Sequence, residues 1–438
     1  MGPLASGSLL LLGLLVLLAT GMPIAFALGL VSIVALILSG GFGVMEIVGE
    51  TFFGGLASFS LVAIPMFILM GSAVASSPAG RDLYEALDRW LNRVPGGLVL
   101  SNIGACSIFS ALSGSSPATC AAIGKMGIPA MIERGYPPSI ATGSIAAGGT
   151  LGILIPPSVT MIVYGIATET SIGRLFLAGV LPGIMLTALF MIWTIISCRL
   201  AGYSFEAMAR RFTLKERLQS LPRVLPFLAI VVAILFVLYG GVATPSEAAG
   251  AGAFLCIVLA VAIYRMWRPG PLIAIFRSTL RESVMIMMII GASELFAFAL
   301  SSLFITQSIA LWIADLEVNR WILLLFVNIF LLIAGFFLPP VAVILMTAPI
   351  LLPIIIQAGF DPYWFAVVLT INMEIGLITP PVGLNLYVIN GIAPDIPLQT
   401  ILKGAFPYVL CMVLGIIILC FFPGIATWLP NRMMGAAI

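Results

Sequence analysis

Ten apolar runs, each close to the length of a bilayer crossing, constrain this chain more than any other feature. They fall at roughly 8–20, 22–39, 60–77, 139–166, 174–197, 224–240, 247–264, 283–304, 362–392 and 403–423. A helix needs about 20 apolar residues to cross the hydrocarbon core. Inside that core only helices and closed barrels satisfy their own backbone groups, and long continuous runs select helices. Composition closes the soluble alternative: 61% of the 438 residues are apolar, 8% are charged, and the mean hydropathy is +1.22. A soluble domain carries roughly 25% charged residues. A water-soluble enzyme is thereby excluded. So is a nucleic-acid binder, which needs a basic patch; 19 basic and 17 acidic residues leave none to spare.

Two further apolar stretches, about 98–133 and 321–357, are broken near their middles by Ser113-Gly114-Ser115-Ser116-Pro117 and by Leu338-Pro339-Pro340. Each reads as two spans or as a re-entrant hairpin. The predicted fold class is an all-α polytopic membrane protein of about ten transmembrane helices plus two re-entrant hairpins.

The chain has no histidine, so histidine triads and histidine metal sites are unavailable. The six cysteines lie in or beside apolar runs and form no CxxC pair. Gly124-Lys125 is followed by Met126, so no Walker A motif exists. An intramembrane enzyme would also lack its carboxylate-rich motif, and the chain is expected not to be an enzyme. The apolar run Leu9–Leu18 has no basic segment before it and is read as a retained span rather than a signal peptide.

Positive charge orients the spans. With both interruptions read as hairpins, Arg81, Arg89, Arg93, Arg134, the 199–223 and 265–281 clusters and Lys403 fall on one side, fifteen residues in all. The other side receives Arg174, Arg320 and Arg432, and Lys125 sits within the first hairpin. The rich side is the cytoplasm, and both termini are expected outside. Lys125 is read as snorkelling to the cytoplasmic face, and Arg174 as anchoring the outer end of its span. Residues 81–93 carry Leu83, Leu87, Trp90 and Leu91 near helical spacing and read as an interfacial amphipathic helix. The equivalent place later, 305–320, holds Asp315 and Glu317 and a single Arg.

A shift of 224 residues aligns two regions without gaps. Pro129 meets Pro353, Gly135 meets Gly359, Pro138 meets Pro362, Gly152 meets Gly376 and Pro156-Pro157 meets Pro380-Pro381. These identities are glycines and prolines, which punctuate backbone geometry. The second and seventh spans also correspond, and by parity they run in opposite directions, so the repeats are inverted. Inverted repeats with broken helices are transporter architecture. Where a helix breaks in the bilayer its carbonyls and N–H groups lose partners, at several kcal/mol each unless an ion, substrate or water supplies them. The breaks therefore locate the site.

The first break combines Ser113–Thr119 with Gly148–Pro157, whose hydroxyls and freed carbonyls are hard donors suited to Na⁺. Pro117 and Pro157 suit a first helical position, and half-helix N-termini would attract a carboxylate. Small residues also serve plain helix packing, but a Gly/Ser/Pro cluster repeated at matching places favours function. The second break combines Gly335–Pro340 with Asn372–Pro381, and its polar side chains are Asn372, Thr379 and Asn385. Candidate substrate contacts are Ser113, Gly114, Pro157, Asn372, Pro381 and Asn385. Glu294 and Glu374 lie at bilayer depth, where charge is functional by default.

The runs 114–165 and 372–398, with MPIAFALG at 22–29 and IPMFILMG at 64–71, closely resemble the DctM-like large membrane subunit of tripartite ATP-independent periplasmic (TRAP) transporters, in the ion-transporter superfamily. The likeness covers essentially the whole chain, in the form not fused to the small subunit. It implies a Na⁺-driven elevator importing an organic anion, a carboxylate or sugar acid. It implies as partners a periplasmic (DctP-like) substrate-binding protein, a small four-helix (DctQ-like) membrane subunit and membrane lipids. By motif match one Na⁺ site involves Ser115, Ser116, Thr119, Gly149 and Thr150, and a second involves Leu338, Pro339, Gly376 and Thr379. The resemblance also divides the chain. Residues 1–94 hold the first span, scaffold and arm helix, and 95–197 the first transport half. Residues 198–245 form a connector with one span, 246–320 the second scaffold and arm, and 321–438 the second transport half. The location is the inner membrane. Alternatives are a single-component Na⁺ or H⁺ symporter of the same superfamily, or a passive anion channel.

Overall fold

A computed structural model describes residues 2–91, 96–200, 212–315 and 318–435. Every extended regular element among them is a helix. The first repeat is preceded by α1 (Pro3–Ala19) and comprises α2 (Ile24–Gly40), α3 (Met45–Leu56), α4 (Ala63–Ala75), α5 (Ala79–Leu91), α6 (Gly97–Ser113), α7 (Ser116–Glu133), α8 (Pro138–Thr150), α9 (Val159–Ala167) and α10 (Ile172–Leu200). A connector follows with α11 (Leu214–Ser220) and α12 (Leu225–Tyr239). The second repeat is α13 (Pro245–Tyr264), α14 (Pro269–Ser302), α15 (Ile305–Asp315), α16 (Arg320–Phe337), α17 (Pro340–Gln357), α18 (Pro362–Leu377), α19 (Leu384–Ile392) and α20 (Leu398–Phe421), with α21 (Gly424–Met434) after it.

The offset of 224 extends well beyond the motifs that revealed it. It carries both ends of α7 onto α17, and α6, α9 and α10 onto α16, α19 and α20 within three residues. The helix stops repeat as well. Gly135 and Gly359 take φ of 76° and 78°, a left-handed conformation that costs glycine least. Each closes its helix identically: Tyr136 N donates to Met131 O (3.0 Å) and Phe360 N to Ile355 O (3.1 Å). Both Pro-Pro bonds, Pro156-Pro157 and Pro380-Pro381, are cis.

By length and apolarity, six described helices can each cross a membrane, and up to eight spans result if two bent pairs are counted. The six include the hairpin arms α16 and α17; α1 and α2, at 17 residues, are shorter apolar helices. Taking α1, α2, the bent α3–α4 pair, α10, α12, α13, α14, α20 and the two broken helices as crossings recovers the ten expected. The hairpins turn over two residues, and Gly114 at the first tip lies against Pro157 O, 3.0 Å from where a Cβ would stand. Pro157 is in the middle of the broken helix, so the hairpin reverses at mid-height rather than crossing.

Three boundaries differ from the hydropathy reading. Residues 45–56 form α3, which meets α4 at 55°. Its glycines and glutamates had masked it. The span expected from 283 begins at Pro269, because α14 continues through Arg277, Arg281 and Glu282 as one 34-residue helix. Under the offset, α14 is the unbent counterpart of α3 plus α4. Pro157, expected at a first helical position, lies outside α9, whose N-cap is Ser158.

The amphipathic stretch forms α5, and its buried face, including Leu83, Tyr84 and Asp88, packs on α6 and α7. Arg134, just past α7, donates to both Asp88 oxygens at 3.1 and 2.9 Å. From its other side Asp82 accepts from Tyr264 Oη at 2.8 Å, and Arg89 donates to Glu216 O at 3.0 Å. Arg93, Arg210, Arg211 and Glu317 lie outside the described residues.

Candidate functional site

The first break folds against its own hairpin tip through positions where only glycine fits. A Cβ on Gly152 would stand 2.7 Å from the Ser115 carbonyl, and one on Gly149 would overlap Cys120 Sγ. That proximity lets the Ser116 hydroxyl donate to Thr150 O at 3.1 Å, bridging tip and break. Ser113 Oγ and Thr119 Oγ1 share a hydrogen bond of 2.8 Å, and Thr119 also donates to Ser115 O at 2.9 Å. All five residues expected at the first Na⁺ site are thus gathered around one tip-to-break contact. Ser116, Thr119 and Thr150 are wholly buried. Their protons go to carbonyl oxygens, which leaves hydroxyl lone pairs as donors for a cation. Of the candidate substrate contacts, Gly114 and Pro157 also meet here, beside Ser113.

The second break is built the same way with different chemistry. A Cβ on Gly376 would stand 2.5 Å from Gly335 O, and Val382 N donates to Phe336 O at 3.3 Å. Its tip residues Phe337 and Pro339 are exposed, while Leu338 is half-buried. Thr379 donates back to Ile375 O, and Pro381 is exposed. Asn372 does not face the tip. Its Nδ2 donates to both O and Oδ1 of Asn328 on α16, at 3.0 and 2.9 Å. Asn328 was not foreseen; a polar residue in the middle of an otherwise apolar helix was the available signal. Asn385 is fully enclosed, and neither of its amide atoms has a partner among the described residues. The same holds for both oxygens of Glu374.

The repeats interlock at this point. α9 of the first packs on α17 of the second, and α19 packs on α7. Four helices, α7, α9, α17 and α19, therefore begin at the centre, and four, α6, α8, α16 and α18, end there. Helix starts present N–H groups and partial positive charge; helix ends present carbonyls and partial negative charge. The basic residues on these eight helices are Lys125, exposed on α7 nine residues past Ser116, and Arg320 at the far end of α16. An anion at the centre would meet backbone dipoles rather than a basic side chain of these helices.

Glu294 lines a separate crevice of about 640 Å³ with Gly54, Gly55, Ser58, Glu169 and Thr170, where α3 and α14 approach the α9–α10 turn. Arg174 is the residue expected to anchor the outer end of its span. It donates to Met434 O (2.9 Å) and Gly435 O (3.0 Å), and lies 5.9 Å from the Tyr363 ring centre. Lys125 is exposed on α7.

The fold and this centre define a multi-pass membrane permease of two repeats, each with a hairpin and a broken helix. Residues 11–425 match the family described as "Tripartite ATP-independent periplasmic transporter, DctM component". The chain is 41% identical over 373 residues to the C4-dicarboxylate TRAP transporter large permease protein DctM of Pseudomonas aeruginosa, covering 85% of this chain and 86% of that one. It is 30% identical over 423 residues to the sialic acid TRAP transporter large permease protein SiaM of Vibrio cholerae, covering 97% and 98%. The crystal structure of the Alcanivorax borkumensis YdaH transporter shares the fold, with a TM-score of 0.67 over 90% of this chain and 91% of that one at 16% identity. The chain belongs to the DctM family of TRAP transporter large permeases, a family of transporters and not an enzyme class.

Proposed function

We propose that this chain is the large permease of a Na⁺-coupled transporter that imports an organic anion delivered by a periplasmic binding protein. The observation that carries this reading is the convergence of four helix starts and four helix ends at the two adjoining breaks, with no basic side chain beside them among the described residues. The helix ends and hydroxyls suit a hard cation; the helix starts suit a carboxylate. Na⁺ would be held by Ser115, Ser116, Thr119, Gly149 and Thr150 at one break and by Leu338, Pro339, Gly376 and Thr379 at the other. The substrate would lie between them, against Ser113, Gly114, Pro157, Pro381 and Asn385; Asn372, expected there too, is held instead by Asn328 on α16. The residues fit Na⁺ because they offer hydroxyl and carbonyl oxygen, which hard cations prefer. Each cation lowers the cost of bringing the anion into the membrane, which couples the two bindings.

In this reading 95–197 and 321–423 move as an elevator against a scaffold of 22–77 and 247–304. A small four-helix subunit completes the complex in the inner membrane. The acids named for relatives, C4-dicarboxylate and sialic acid, are the first to try. The membrane potential supplies about 2.3 kcal/mol per charge per 100 mV. Two Na⁺ with a monoanion would use it, whereas two Na⁺ with a dianion would need a third ion to do so.

The test is uptake by the chain and its small subunit in proteoliposomes, with candidate binding proteins and acids outside. Na⁺ and voltage gradients are imposed separately. Uptake that needs both Na⁺ and a binding protein is expected. Uptake without a binding protein, or driven by H⁺ alone, would make the chain a single-component symporter, and non-saturable flux would make it a channel.

A further inference from the structure

We infer that the substrate carboxylate is seated between the N-termini of α7 and α19, and that Asn385 is the side chain that reads it. This rests on the organic-anion reading above and assigns the two halves of the centre different tasks.

The four central N-termini are not equivalent. α9 has one of its first N–H groups taken by its own cap, because Ser158 Oγ accepts from Met161 N at 3.3 Å. α17 starts Pro339-Pro340, two residues without an N–H, so Val341 is the first residue there able to donate. Little is left there to meet an anion. α7 and α19 have no side-chain cap, although Pro117 removes one donor from the first turn of α7, and Gly383, the N-cap of α19, has no side chain to offer. The first N–H groups of α19, on Leu384 and Asn385, point out of the helix start uncapped.

These two open starts lie together. The breaks adjoin, since α18 touches the 151–153 turn. Eight residues past each start the helices still touch, where a Cβ on Gly124 of α7 would stand 3.3 Å from Ile392 Cδ1 of α19. α7 and α19 therefore run side by side in the same sense. Asn385 lies seven residues before Ile392, two turns along the same stripe, so its side chain faces α7 near that helix's start. It is fully buried and neither amide atom has a partner among the described residues. A buried amide without partners is costly. A carboxylate between the two starts would accept from Asn385 Nδ2 and from the helix N–H groups together. A neutral amide suits a carrier, because the empty site then holds no fixed charge of its own.

The experiment uses the full complex in proteoliposomes, with succinate or N-acetylneuraminate as probe, whichever the wild type carries. Counterflow with the acid loaded inside reads the membrane site without the binding protein. If the wild type moves neither acid with Na⁺, the organic-anion reading fails for these acids, and this assignment fails with it for them. If it does move one, Asn385→Ala is expected to raise the half-saturating internal acid at least tenfold, with half-saturating Na⁺ unchanged. Asn385→Asp, close to isosteric, is expected to abolish counterflow by opposing the carboxylate while keeping the thermal melt of the wild type. Counterflow within twofold of wild type in Asn385→Ala, or active transport by Asn385→Asp, would overturn the assignment. So would a shift in Na⁺ dependence with no shift in acid dependence, which would make Asn385 a cation ligand. Should Asn385→Ala fail to fold, the aspartate variant alone decides.

Discussion

Two glycines, Gly152 and Gly376, hold the two breaks against their hairpins. A Cβ at Gly152 would press on the Ser115 carbonyl and one at Gly376 on Gly335 O, and both are backbone atoms that cannot swing aside. Gly152→Ala and Gly376→Ala are each expected to destabilise by about 1–3 kcal/mol, as overpacking does, and to abolish transport. Gly250→Ala, where nothing lies within 4 Å, is the control and should leave the melt unchanged or slightly raised. Fluorescence-detected size-exclusion melts of all three check this. Ser158 offers a milder probe, since it caps α9 and also donates to Ile153 O at 2.6 Å. Losing the cap in Ser158→Ala is expected to cost about 1 kcal/mol in the same melt. Of these residues, both glycines were legible as repeated punctuation. Asn328 and the cap at Ser158 were not, because a single polar residue reveals its partner only when the helices are placed.

At the scale of elements, α5 touches hairpin, scaffold and connector at once. Its grip on the hairpin is the bidentate pair of Asp88 with Arg134, whose side chains are 8% and 35% exposed. Breaking a buried pair from one side costs about 3–5 kcal/mol, and partial exposure of Arg134 reduces this to about 1–3 kcal/mol. Asp88→Ala and Arg134→Ala should therefore destabilise alike, and the double variant should cost no more than either alone. A double-mutant cycle on the melting temperature measures this, and strict additivity would show that the pair contributes nothing. Element boundaries were legible where apolarity and capping agree. α13, for instance, begins at a reciprocal box in which Glu247 accepts from Thr244 N and Thr244 Oγ1 from Glu247 N. They were hidden where helices carry charge or glycine: the apolar runs began at 60 and 283, so α3 and the first half of α14 lay outside them. Hydropathy measures what lipid covers, and those segments are helical for other reasons, including packing of α3 on α14.

For the whole molecule, the charge asymmetry predicts orientation. Ala5→Cys and Gly424→Cys, both at exposed positions near the ends of the chain, should react with a membrane-impermeant maleimide from the periplasmic side. Ser220→Cys in the connector should react only after permeabilisation. Cys106, Cys120, Cys198 and Cys256 are buried, and the half-buried Cys411 and Cys420 on α20 are replaced by Ala in the labelling background. Labelling of the Ser220→Cys variant in intact cells would reverse the topology.

The sequence by itself determined the helical membrane class, the repeat and the two places where helices break. Each of these depends on local chemistry: apolar length, glycine and proline geometry, and positive charge. Only the tertiary structure decided that Asn372 turns to α16 while Asn385 is buried without a partner among the described residues, and that each repeat's half-helix rests on the other's hairpin. The offset relates residues 224 apart as equivalents, but equivalence is not contact. Which helix starts share a centre, and which of them stay open, depends on the packing of two different sequences onto one pseudo-symmetric frame.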